Sequence, residues 1–262
     1  MNYWLQSHDR PLIIGHRGAS AHAPENTLAA FKLAMEQGAD GIELDVKRSA
    51  SGDVVVMHDV TVDRTTDGKG KVHELTLDQL RRLNAGGGER VPTLEEVLKL
   101  VIQAKHAEPV EGATDALFLV NIEVTNYATP KDGLEELVVD VVRRHACAER
   151  ILFSSFSPLS VRKLSKHMPE VPRGILYHHA MPLYLRQVWL APFVPHEFRH
   201  PDLAYITSDF VQRLKAQGKR VNVWTVNDRA DIARVAQAGV AGIIGDSPET
   251  MRHSLMPLRK KQ

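Results

Sequence analysis

A chain of 262 residues with a formal net charge of +1 at pH 7 offers no long-range field for drawing in nucleic acid or a charged membrane. One cysteine, Cys147, excludes an intrachain disulfide and fits a reducing compartment. With 43% apolar and 25% charged residues the composition is that of a globular protein large enough to bury a core.

The N-terminal MNYWLQSHDRPL lacks a basic-then-apolar secretory pattern, and no apolar run approaches membrane-spanning length, so a cytoplasmic location is expected. The first apolar run, LIIG (12–15), reads as a buried strand that ends in His16-Arg17. TLAAFKLAMEQG (27–38) follows with helical period, placing Leu28, Phe31 and Met35 on one face, and Gly38 marks its end. GIELDV (41–46) and VVVMH (54–58) are the next extended segments. The polar, glycine-rich stretch 60–90 then breaks the rhythm, with one short helical pattern at TLDQLRRL (76–83), and suits a small cap over one face.

After the helix PTLEEVLKLV (92–101) the alternation resumes. LFLVNIEV (117–124), ILFSSF (151–156), RGILY (173–177), AYIT (204–207), RVNVWTV (220–226) and AGIIG (241–245) read as strands. GLEELVVDVVRRH (133–145), SPLSVRKLSKH (157–167) and DRADIARVAQAG (228–239) read as helices. Cys147 falls in a helix-like stretch and is expected to be an inert thiol, and Arg259-Lys260-Lys261 a solvated tail. The irregular stretch 181–202 carries four prolines and predicts a helix plus a loop on the active face; its Leu183, Leu185, Trp189 and Phe193 are expected in the helix core. Repeated strand–helix units without clean alternation imply a parallel sheet covered on both faces. A doubly wound sheet and a closed (β/α)8 barrel compete; about eight core strands and the lack of G-x-G-x-x-G after the first favour the barrel.

In such a barrel functional groups gather where strands end, and His16, Arg17, Glu43, Asp45, His58 and Glu123 fall there. Glu43 and Asp45, two apart on a strand, share a face at a separation of roughly 6.5–7 Å. Aimed inward, they would repel unless a cation lay between them. With Glu123 as a third oxygen donor and no thiolate, a hard divalent cation, Mg²⁺ or Ca²⁺, fits better than zinc. His16 and His58 can supply one acid and one base, and the planar fork of Arg17 suits a phosphate. Paired rim carboxylates are the competing reading of Glu43 and Asp45. Surface or satisfied positions are the expectation for His178, His179, His196 and His200.

In order along the chain stand G-H-R-G…P-E-N-T, E-L-D-V, V-V-x-H-D, D-R-T-T-x-G-x-G, V-P-T-L-E-E-V, N-I-E, V-W-T-V-N and G-I-I-G-D-S-P. Together, over residues 14 to about 250, they resemble the glycerophosphodiester phosphodiesterase family. The resemblance implies a TIM (β/α)8 barrel as a single catalytic domain over 1–262, with a cap inserted at about 59–91 after the second strand. It implies metal-dependent hydrolysis of a glycerophosphodiester to glycerol 3-phosphate and an alcohol, with a vicinal hydroxyl attacking phosphorus to give a cyclic phosphate. Under it Glu43, Asp45 and Glu123 hold the metal, His16 and His58 are the acid/base pair, and Arg17 contacts phosphate. Trp224 and Phe156 are placed near the substrate, with barrel packing an equal alternative for Trp224. Two positions depart from the family pattern: Thr125 stands where a lysine is usual two residues after the metal-binding glutamate, and Gly245 where a threonine is usual. Three readings of the missing lysine stay open: Arg17 and the metal suffice without it, another cation such as Lys47 helps, or activity is weak.

The expected partner is a small-molecule diester, without nucleic acid and without stable membrane insertion; sequence alone does not set the oligomeric state. Three rivals are a lysophospholipase D that binds an acyl chain, a non-catalytic phosphodiester-binding barrel, and a metal-free (β/α)8 isomerase or lyase.

Overall fold

A computed structural model of the chain describes residues 2–104 and 117–255. The nine strands described are β1 (Leu12–His16), β2 (Gly41–Arg48), β3 (Val54–Val56), β4 (Leu119–Val124), β5 (Ile151–Ser155), β6 (Arg173–Tyr177), β7 (Phe198–Pro201), β8 (Arg220–Val223) and β9 (Gly242–Gly245). Eight of them pair in parallel in the order β1-β9-β8-β7-β6-β5-β4-β2, and the β1–β2 pairing closes the ring. Closure removes the doubly wound alternative and gives a TIM barrel. The short β3 turns back antiparallel to β2.

The helices described are α1 (Leu28–Glu36), α2 (Leu77–Leu80), α3 (Leu94–Gln103), α4 (Leu134–Arg144), α5 (Pro158–His167), α6 (Leu183–Arg186), α7 (Ser208–Ala216), α8 (Arg229–Ala238) and α9 (Pro248–Leu255). Their starts are written in the sequence. Thr27 accepts from the Ala30 amide, Thr93 and Glu96 form a reciprocal capping box, and Ser157 precedes a proline in the first turn.

On β2 the side chains separate by parity. Ile42, Leu44 and Val46 join Phe31, Val97 and Leu98 in the layer between strands and helices. Glu43, Asp45 and Lys47 alternate to the other side and are nonetheless buried. The barrel floor is apolar, built from Leu12, Ile14, Leu119, Leu152, Phe198 and Ile244, and Trp4 packs into it. The Trp4 indole N–H donates to the Arg150 carbonyl at 2.9 Å, which ties the N-terminal segment to the floor. Above it lies a buried polar layer that includes Asn121, Ser154, His200 and Asn222. A Cβ on Gly174 would lie 2.6 Å from the His200 ring, so only glycine lets β6 pass that imidazole.

Residues 55–91 carry a small core of their own, in which Val62, Val72, Leu80 and Ala85 pack with Val55, Met57 and Val91. The segment leans on the loop after β1 through the Arg64–Glu25 ion pair, and Glu89 accepts from the Ala29 amide of α1 at 3.2 Å.

Two sequence expectations are corrected. AYIT (204–207) is not the sixth barrel strand: Leu203–Tyr205 is a 3-10 turn, and the strand is β7, Phe198–Pro201. Charges and prolines around it read as a loop, yet Phe198 and His200 are buried. Leu183, Trp189 and Phe193 are exposed rather than helix core, and Leu185 is only partly covered, because α6 is a single turn. Cys147 is buried, and burial pushes its thiol up to about 11. The basic end at 259–261 lies outside the described residues. No described helix is long and apolar enough to cross a membrane.

Candidate active site

Parallel register brings the acidic residues together. Asp45 pairs with Glu123, and His16 with Glu43. One oxygen from each of Glu43, Asp45 and Glu123 lies within 4.8 Å of the other two, and all three residues are buried. Burial raises the Glu43 carboxyl well above the usual range, and the charges of Asp45 and Glu123 push it further. Burial, then Asp45, lifts Glu123 to about 8. Three such groups at this range are a set of hard oxygen donors able to hold a metal ion.

Other contacts fix each carboxylate. The Arg17 amide donates to Glu43 Oε2 at 3.0 Å, and Asn26 Nδ2 donates to Asp45 Oδ2 at 3.0 Å. The Tyr127 hydroxyl donates to Glu123 Oε1 at 2.9 Å. Arg17 holds a left-handed φ of 56°, a conformation that costs about 1 kcal/mol or more outside glycine and is found where a side chain must be aimed. Its guanidinium reaches Glu25 at 2.8 Å and Asp45 at 3.3 Å. Burial opposes that charge, but Asp45, Glu43 and Glu25 outweigh it and raise the Arg17 pKa.

Each candidate histidine stands on a carboxylate. His16 Nδ1 is 2.7 Å from Asp246 Oδ1, and Asp246 is also bound by Asn227 and Ser20. His58 Nδ1 is 2.7 Å from Asp59 Oδ1. The Met57 amide bonds to the Asp45 carbonyl at 2.9 Å, which sets His58 one residue beyond that contact with β2. An ionised carboxylate only accepts, so Nδ1 carries the proton in both rings. That leaves each Nε2 to take or give a proton. Arg64 clamps Asp59 and Glu25 together, which joins His58 to Arg17 through one chain of ion pairs. Burial alone would raise Glu25, but Arg64 and Arg17 bring it down to about 2. The hydrogen bond from Arg64 likewise holds Asp59 well below the carboxylate range.

Residues 16–250 match the sequence model of the glycerophosphoryl diester phosphodiesterase family. The chain belongs to that family. It is 40% identical over 250 residues to a glycerophosphodiester phosphodiesterase of Caldanaerobacter subterraneus subsp. tengcongensis, covering 92% of this chain and 96% of that protein. A solved Oleispira antarctica phosphodiesterase, in complex with the product sn-glycerol-3-phosphate, is 30% identical with a TM-score of 0.79, over 94% of this chain and 96% of that one. A glycerophosphodiester phosphodiesterase from Agrobacterium tumefaciens is 28% identical with a TM-score of 0.75, over 93% and 98%. As a member of the family the chain is a phosphoric diester hydrolase.

The two departures of this family member have structural counterparts. Lys47 Nζ donates to the Thr125 hydroxyl at 2.8 Å and to its carbonyl at 2.9 Å. The β2–β4 register, Val46 beside Val124, places Lys47 next to Thr125, so a buried cation occupies the neighbouring strand at the level of the usual lysine. At Gly245 a Cβ would lie 2.4 Å from the Val226 carbonyl oxygen, which leaves no room for a threonine on this backbone.

Phe156 and Trp224 meet edge to face, with ring centroids 5.5 Å apart, and His178 and Tyr127 flank Phe156 at 5.7 and 6.0 Å. Trp224 also packs against the floor cluster and donates to the His200 carbonyl at 2.8 Å, so packing and placement at the rim coexist. His178 thus joins an aromatic wall, while His196 and His200 are buried. Sequence reasoning gave no catalytic or binding role to Asp59, Asp246, Glu25, Arg64, Asn26 or Tyr127; Asp246 reads there only as part of a helix N-terminus, Asp246-Ser247-Pro248-Glu249. Asp59 and Asp246 stood inside quoted motifs, directly after His58 and after the last strand, and that position was the available signal.

Proposed function

We propose that this family member hydrolyses glycerophosphodiesters to sn-glycerol 3-phosphate and an alcohol, with residues 1–262 as one catalytic unit and residues 59–91 as its cap. The observation that carries the reading is the convergence of two carboxylate-backed histidines with three buried carboxylates at one end of the barrel. The donor set fits a divalent cation, Mg²⁺ or Ca²⁺: all three donors are oxygens, and Glu43 and Glu123 resist ionisation because burial and the neighbouring acids outweigh the nearby Arg17 and Lys47. Glu43, Asp45 and Glu123 would hold such an ion, which would supply Lewis-acid charge for the phosphoryl transfer.

The protein's own groups supply the rest. Nε2 of one histidine takes the proton of the glycerol hydroxyl vicinal to the phosphoester as that oxygen bonds to phosphorus. The bond to the alcohol breaks, and Nε2–H of the other histidine protonates the departing oxygen. Water opens the resulting cyclic phosphate with the two roles exchanged. Asp246 and Asp59 hold the ring orientations and balance the imidazolium charge. Arg17 and Lys47 face the phosphoryl oxygens, Lys47 in place of the lysine that position 125 lacks. Phe156 and Trp224 form the apolar wall against the glycerol or the alcohol.

The intact histidine–carboxylate pairs speak against a purely binding role. The exposed apolar side chains after β6 favour, as a second reading, diesters that keep an acyl chain. Release of sn-glycerol 3-phosphate from glycerophosphocholine and glycerophosphoethanolamine, against choline release from lysophosphatidylcholine, tests the assignment. The proposal predicts turnover of the first two; binding without cleavage of every diester overturns it.

A further inference from the structure

The segment after β6 divides by side. Met181, Val188, Ala191 and Val194 pack against Val161, Ile175 and Tyr177 and hold it to the barrel. Leu183, Tyr184, Trp189, Leu190 and Phe193 face outward, with Trp189 at 60% and Phe193 at 73% exposure. In residues 182–193 the only charged side chain is Arg186, which is exposed. No carboxylate occurs from 171 to 196. Five large apolar side chains on one short excursion are far more than solvation of a monomer explains.

We infer that residues 182–193 are a platform that seats the barrel on an anionic lipid surface with the catalytic end toward the lipid. Three observations fix the occupant. The excursion leaves β6 at its C-terminal end, the end where the site residues collect, and His178 at its root touches Phe156 and Trp224. The excursion is therefore rooted at the aromatic wall of the site. Its charge suits phospholipid headgroups: one cation stands among apolar side chains, and the acid at the root, Asp202, is 14% exposed and held by His179 at 2.7 Å. Its size argues against a second copy, since twelve residues fall short of the roughly 20–30 a side that a stable dimer uses. Trp, Tyr, Leu and Phe beside an arginine are the side chains that settle at a headgroup boundary without spanning it.

Co-sedimentation with phosphatidylcholine vesicles, with and without phosphatidylglycerol, tests this on the full chain. Wild-type protein is expected to bind, more tightly to the vesicles that contain phosphatidylglycerol. The Trp189→Ser/Phe193→Ser double variant should partition at least ~10-fold more weakly, with turnover of water-soluble glycerophosphocholine unchanged as proof of its fold. Vesicle binding needs neither the metal nor the histidines, so His58→Ala should retain it even if the proposed chemistry fails. Absence of vesicle binding, or equal binding by wild type and double variant, overturns the inference. Self-association that the double variant abolishes, without vesicle binding, would instead assign the patch to a second copy of this chain.

Discussion

At the residue level the histidines do not act alone. His58→Ala or His16→Ala should each lower kcat by roughly 10²–10⁴-fold on a glycerophosphodiester. Asp246→Asn and Asp59→Asn keep the imidazoles but replace the anionic acceptor on Nδ1 with an amide that can equally present a donor and no longer fixes the tautomer. Each should lower kcat by roughly 10–100-fold with KM little changed and with a displaced pH–rate profile. Wild-type kinetics in both would leave these carboxylates a structural role only. Lys47→Ala should raise KM, and Lys47→Ala/Thr125→Lys should recover most of the loss by returning the cation to the adjacent strand; no recovery would mean that Lys47 serves β2 and β4 rather than phosphate. His16, Glu43, Asp45, His58 and Glu123 were legible in the sequence because polar side chains at the ends of apolar runs are conspicuous. Their supports were not. Glu25 and Arg64 bond across 39 positions, and His16 and Asp246 across 230, separations that no local pattern encodes.

At the level of elements, seven of the eight barrel strands lay in apolar runs bounded by helical period, and the alternation alone implied a parallel sheet. β7 escaped because only its inward side is apolar or aromatic. Arg199 interrupts Phe198 and His200, and Pro201 closes the strand, so the run reads as a loop while pairing with β6 and β8 supplies its order. The neighbouring glycine carries a prediction. Gly174→Ala would drive a Cβ toward the His200 ring and should destabilise the fold by roughly 1–3 kcal/mol, read as a lower urea midpoint with an unchanged slope. An unchanged midpoint would mean that the β6–β7 interior is looser than the packing described. The cap was legible as an interruption, but its separate core was not: Val62, Val72 and Leu80 are spread over a polar segment and meet only in three dimensions.

At the level of the whole molecule, the barrel buries imidazoles that must stay neutral. Burial lowers His200 to about 3 and His196 to about 4, against an ordinary value of 6.5. As pH falls through 6.5 the unfolded chain takes up protons that the folded chain refuses. Stability from these groups is therefore complete above 6.5 and declines below it, continuing toward the folded values. At pH 5 His200 alone should cost roughly 2 kcal/mol. Between pH 7 and pH 5 the urea midpoint of the wild type should fall relative to that of His200→Asn, whose unfolded chain lacks that proton; parallel profiles for the two proteins would contradict a neutral, buried His200. The central claim is that Glu43, Asp45 and Glu123, from two neighbouring strands, serve one divalent cation on which turnover depends. It is tested most directly by following sn-glycerol 3-phosphate release from glycerophosphocholine after exhaustive chelation and after adding back Mg²⁺ or Ca²⁺ singly. Turnover should vanish with the chelator and return with at least one of the two ions, and undiminished turnover in the chelated enzyme would contradict the claim.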